Sequence, residues 1–154
     1  RTAELIIIIE EGFSPRMYWC TMGWNTIGYG RTVGKKGDPL TNEVATKEKE
    51  TVFVREQIRS ISYQLMTRFS VAWNNCNQNQ QAVLIAMCYQ MGIAGVSAFK
   101  KMFMAIERKD FDMASREMLN SKWAKQTANR ANRYAEIMRT GSLSRYYLTN
   151  GEIP

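Results

Sequence analysis

A carboxyl, a thiol and a hydroxyl stand close together in the chain at Glu11, Cys20 and Thr26, three groups able to give, take and orient protons. Glu11 follows the apolar run Leu5 to Ile9, which reads as a short helix begun at Thr2 and ended by Gly12. The negative end of that helix and the neighbouring isoleucines both disfavour a charged carboxylate, which is the setting of a general acid. Glu10 beside it offers a plainer alternative, an ordinary solvated helix end. Met17 to Cys20 and Asn25 to Tyr29 are strand-like, and a hairpin centred near Gly23 sets Cys20 opposite Thr26. The Cβ atoms of such a pair lie roughly 4.5 to 5.5 Å apart, so thiol and hydroxyl can share a water. Alternation puts Thr26, Gly28 and Gly30 on that face, where two missing side chains leave a trough for a ligand; Ile27 and Tyr29 take the packing face.

The elements that must position these groups follow from the texture of the sequence. Phe13 to Arg31 reads as a small twisted sheet, and Val33 to Leu40, with Gly34, Gly37 and Pro39, as a loop. Thr46 caps a long helix that has Glu48 and Glu50 in its first turn and Val52, Ile58, Ile61 and Leu65 along one side. Asn74 to Asn79 is a polar break. A buried helix with Ala82, Ile85, Cys88 and Tyr89 follows and stops at Gly92. Shorter helices are expected at Ser97 to Glu107, Phe111 to Leu119, Asn129 to Met138 closed by Gly141, and a last turn near Ser142 to Tyr147.

The 154 residues, 45% of them hydrophobic, suffice for one domain with one sizeable core. The longest apolar run is far shorter than the roughly 18 residues of a membrane span. No histidine is present, and Cys20, Cys76 and Cys88 match no metal-ligand spacing, so neither a metal nor a Ser-His nucleophile is expected. The odd cysteine count leaves at least one thiol free. A net charge of +7, concentrated after residue 121, favours polyanionic partners. No aromatic and basic nucleic-acid module stands out, so a solvated basic face is the expectation and nucleic acid is not.

Glu11-Gly12, Tyr18, Cys20, Gly23 and Thr26-Ile27-Gly28-Tyr29-Gly30 together resemble the active-site hairpin of phage lysozymes. Tyr89-Gln90-Met91-Gly92, Gly95-Val96, Phe99, Trp123, Gln126-Thr127, Asn129-Arg130-Ala131 and Arg139-Thr140-Gly141 resemble the helical lobe of the T-even phage type, in the family's order. The resemblance implies an α+β, mostly helical, two-lobed fold. It divides the single domain 1–154 into a small antiparallel-sheet lobe (12–46), a helical lobe (1–11 and 70–154) and a connecting helix (47–69).

It further implies a muramidase, or endolysin, that cuts the β-1,4 link between N-acetylmuramic acid and N-acetylglucosamine in bacterial peptidoglycan. Such a protein is phage-encoded, works on the wall in the host periplasm without a cofactor, and is a monomer unless it is part of a larger tail protein. A non-catalytic wall-binding or tail module is the alternative. Glu11, Cys20 and Thr26 fit the family's catalytic pattern, Arg130 is expected beside Glu11, and Gly28 and Gly30 support the site. The sugar contacts implied are Thr32, Tyr89, Gln90, Met102 and Glu117. Cys20 stands where aspartate is commoner, and three roles are open to it: a thiolate base toward water, a nucleophile, or a relic without turnover. Met22 replaces an acidic residue of the cleft. Arg31 replaces a histidine, with a structural charge as the better reading.

Overall fold

A computed structural model describes residues 1–151. Residues 152–154, the end of the expected helical lobe, lie outside the described residues. The first helix, α1 (Thr2–Glu11), forms in spite of its isoleucines because Ala3, Ile6 and Ile7 fall on one face and are buried there. Thr2 lies inside this helix rather than capping it, since the cap position is Arg1. Gly12, at φ +67°, turns the chain out of α1 and toward the sheet.

Strands β1 (Ser14–Trp19), β2 (Asn25–Gly28) and β3 (Arg31–Val33) form an antiparallel sheet in the order β1-β2-β3. Tyr18 pairs with Thr26 and Trp19 with Asn25, so the expected pairing of Cys20 with Thr26 is corrected by two residues. The cause is a tight turn: the Gly23 amide bonds back to Cys20 O, and the Cys20 amide bonds to Trp24 O, each at 2.9 Å. Gly23 therefore closes the turn instead of standing at its centre. Because strand faces repeat every two residues, the correction leaves Cys20 on the same side as Thr26. Met17, Ile27 and Ala45 form a small core beneath the sheet, with Phe13 and Val33 against it.

Helix α2 (Lys47–Arg68) starts at Thr46, whose hydroxyl accepts the Lys49 amide. Its first turns touch the sheet through Glu50, which pairs with Arg31 at 2.9 Å, and its later turns bury Ile61 and Leu65 in the main core. Val52 faces solvent, and Val54 takes the inward place expected for it. Next come α3 (Ser70–Asn75), which sequence reading missed, and α4 (Gln78–Ser97), opened by reciprocal Asn77 and Gln80 capping bonds. The stop expected at Gly92 is a break at φ +81° and ψ 160°, after which helix resumes. Then follow α5 (Lys100–Glu107), α6 (Phe111–Leu119), α7 (Lys122–Gln126), α8 (Ala128–Thr140) and α9 (Arg145–Gly151). Gly141 ends α8 in the left-handed conformation, as expected, while α9 begins later than the expected last turn. The architecture is α+β and mostly helical, with a small antiparallel sheet.

Candidate active site

Glu11 ends α1, and three neighbours define its carboxyl. Arg130, from α8, reaches Glu11 Oε1 at 3.3 Å and donates to the Glu10 carbonyl at 2.9 Å. Gly30, at φ +87°, has room for no side chain without crowding, since a Cβ there would sit 3.3 Å from Glu11 Oε2. Burial pushes the Glu11 carboxyl above its usual range; the Arg130 charge and hydrogen bond pull it down, and the charge of Glu10 pushes it up. Burial outweighs the arginine, so Glu11 holds its proton more tightly than a solvated glutamate does.

The thiol of Cys20 shifts the opposite way. Backbone amides of the turn, Trp24 first and Met22 next, stabilise its thiolate against a smaller desolvation effect, and the Thr26 hydroxyl and Gly23 amide add to this. Thr26 Oγ1 also lies 3.0 Å from Trp24 O. With one proton to give, the hydroxyl serves either that carbonyl or an ionised Cys20. Cys76 and Cys88 differ from Cys20: they are buried in the core, and burial pushes each thiol up to about 12. All three cysteines are free.

A groove of about 380 Å³ is lined by Gly30, Thr32, Tyr89 and Gly92, and by Phe53, Gln57, Ile61 and Gln64 of α2. Tyr89 donates to Tyr29 O at 2.7 Å, tying α4 to the sheet, and Gln90 accepts the Trp123 indole proton at 2.9 Å. Trp123 itself packs edge-on against Phe99, as a core residue. Gln57 and Gln64 were missed by sequence reading, although Phe53, Gln57, Ile61 and Gln64 repeat at helical spacing along one face. Gly28 is not part of an open trough: a Cβ there would meet Glu50 Oε1 at 2.3 Å, so the Arg31-paired carboxylate fills that space. Met102, expected as a sugar contact, is corrected: it is 0% exposed, its side chain packed in the core, whereas Met104 faces solvent. Glu117 lines a separate cavity of about 350 Å³ with Phe99, Lys100, Lys101 and Asn120, and Met102 backs its wall.

Behind the acid lies a network that the sequence did not disclose. Arg133 grips both oxygens of Glu10 at 2.8 Å, and Tyr147 donates to the same carboxylate. Burial raises the Glu10 carboxyl, but the bonds from Arg133 and Tyr147 and the two arginine charges overcome it and hold Glu10 below its usual range. Adjacent glutamates thus take opposite states: Glu10 is a fixed anion, and Glu11 is the proton-holding neighbour.

A half-buried carboxyl next to Gly30 of the groove wall and an activated thiol, both within charge reach of Tyr18, set on an α+β lysozyme-like fold, define a class of hydrolytic enzyme. A family model described as phage lysozyme matches residues 9–137, and the chain belongs to that family. Its relatives extend beyond phages. "Probable T4-type lysozyme 2" of Dictyostelium discoideum is 31% identical, with 89% of this chain aligned to 93% of that protein. The "Pre-baseplate central spike protein Gp5" of Enterobacteria phage T4 is 30% identical, over 89% of this chain and 27% of that protein. An "Endolysin" of Acyrthosiphon pisum secondary endosymbiont phage 1 is 27% identical, over 77% of this chain and 75% of that protein. The chain is a lysozyme. Among the described residues, no single helix is long and apolar enough to cross a membrane.

Proposed function

We propose that this lysozyme is a muramidase hydrolysing the β-1,4 bond between N-acetylmuramic acid and N-acetylglucosamine of peptidoglycan, with inversion at the anomeric carbon. Glu11 gives its proton to the glycosidic oxygen as the sugar gains oxocarbenium character. A water oriented by Thr26 attacks the anomeric carbon from the opposite face, and its proton passes to the Cys20 thiolate. The C–O bond breaks with its electrons on the leaving oxygen, and proton return from Cys20 through solvent to Glu11 resets the site. Tyr89, Thr32 and Gln90 hold the sugars, Gly30 and Arg130 set the Glu11 carboxyl, and Glu117 meets the strand further along. Residues 12–46 and the flanking helical segments act as the two walls of one cleft, with 47–69 between them.

The observation that carries this reading is the contrast between Glu11, pushed up by burial, and Cys20, pulled down by turn amides and Thr26. A proton donor and a proton acceptor are what hydrolysis of an acetal requires. The protein works as a monomer on the bacterial wall, phage-encoded and without nucleic acid or cofactor, as a free lytic enzyme or as the wall-cutting segment of a tail protein. The test is digestion of purified murein with time-resolved analysis of the new reducing ends. Muramic-acid ends that appear first as the α anomer support the proposal. An initial β anomer means that Cys20 attacks the sugar directly, and no new reducing ends at any pH leaves a wall-binding module.

A further inference from the structure

The turn that holds Cys20 also carries exposed apolar surface that hydrolysis does not use. Trp19 is 56% exposed, Met22 65% and Trp24 37%, with Tyr18 and Leu40 exposed beside them. These residues are not loose. The Trp19 indole donates to Asp38 O at 3.0 Å, Gly37 N bonds to Gly23 O at 3.0 Å, and Asn25 Nδ2 donates to Pro39 O at 3.0 Å. Hairpin end and following loop are thereby one braced piece. Lys36 lies over the turn, its Cε 3.6 Å from where a Gly23 Cβ would stand, and neither Lys35 nor Lys36 forms an ion pair among the described residues.

We infer that the hairpin end, through Trp19, Met22 and Trp24 with Lys35 and Lys36, is a second binding platform for the anionic glycan strand of murein, continuous with the cleft at Cys20. Indole faces are electron-rich and accept the C–H face of a pyranose, while the lysines suit the carboxylates that muramic acid and its peptide carry. Bracing matters because a platform already fixed loses little freedom on binding. Nearness to the proposed catalytic groups favours a glycan over a lipid surface, since Tyr18, next to Trp19, lies within charge reach of both Glu11 and Cys20. Trp24 O bonds the Cys20 amide and sits by the Thr26 hydroxyl, so a strand leaving the catalytic groups on that side meets this turn next.

This inference rests on murein being the substrate, and its test reads binding rather than turnover. The full chain carrying Glu11→Gln is sedimented with purified sacculi, and separately with vesicles of phosphatidylglycerol. On that background Trp19→Ala with Trp24→Ala is compared with Met22→Glu, a change at a site whose side chain is mostly in water. Each variant is first checked for an unchanged unfolding midpoint. Weakening of sacculus binding by about tenfold in the indole pair, with a smaller loss in Met22→Glu, supports the platform. Undiminished sacculus binding in both overturns it and leaves the proposed hydrolysis standing. Loss of vesicle binding alone overturns it in favour of a lipid surface. Failure of the parent to bind sacculi removes murein as the substrate, and the platform with it.

Discussion

At the scale of single residues, Glu11 has a double consequence. Its carboxyl is held above the usual range chiefly by burial, so the folded chain binds that proton more tightly than the unfolded chain does. The associated stability is complete below the unfolded pKa and is lost as pH rises through the folded one. Glu11→Gln is therefore expected to lower murein hydrolysis by about 10³-fold and to raise stability at pH 7 by about 1 kcal/mol, read by reducing-end release and urea unfolding. A less stable variant would mean that the Arg130 contact outweighs the burial. For the wild type, the alkaline limb of the pH–rate profile should fall at a pKa above that of a free glutamate. Cys20 predicts a selective modification: iodoacetamide should label it ahead of the buried Cys76 and Cys88 and abolish turnover, with peptide mass mapping to locate the label. Labelling that leaves turnover intact would remove Cys20 from the mechanism. The grouping of Glu11, Cys20 and Thr26 was legible because residue type and spacing are properties of sequence. Met102 was not, since its burial depends on helices that meet it only in the fold.

At the scale of elements, most helices announced themselves and the hairpin register did not. Thr46, Gly141 and the α6 span were readable because caps and apolar periodicity are local signals. Helices α3 and α7, of 6 and 5 residues, are too short to show a period. The register was misread because a central glycine was taken as the turn centre, whereas backbone bonds close the turn between Cys20 and Gly23. A two-residue shift preserves the face, so Cys20 and Thr26 stay on one side of the sheet. Gly28 shows what the sheet requires of sequence. At φ +68° it has left-handed geometry, and a Cβ would run into the carboxyl of Glu50, the partner of Arg31. Gly28→Ala should cost about 3 kcal/mol of stability, read by thermal unfolding, because strain and displacement of a buried ion pair add together. A cost below the strain alone would show that Glu50 moves aside freely.

At the scale of the whole molecule, the acid is held in place from the far end of the chain. Glu10 of α1 is bound by Arg133 of α8 and Tyr147 of α9, so elements well over a hundred residues apart converge behind Glu11. No local spacing encodes that convergence, which is why the arginine beside Glu11 came from family resemblance while Arg133 and Tyr147 went unread. Removing Arg133 leaves the buried Glu10 carboxylate with only Tyr147 and the more distant Arg130, and Arg133→Met should cost roughly 3 kcal/mol at pH 7 by urea unfolding. The pH dependence separates this electrostatic loss from lost packing. Glu10 in the native chain is held below its usual range, so its stabilising contribution is present above the unfolded value and disappears as pH falls through the folded one. In Arg133→Met the largest downward influence is gone and burial remains, which moves the Glu10 carboxyl upward and makes its protonation favour the fold. Acidification from pH 6 to pH 4 should therefore narrow the stability gap between variant and wild type. A gap that stays constant over that interval would show that Arg133 acts through packing alone, and that Glu10 is not the anion that anchors α8 and α9 behind Glu11.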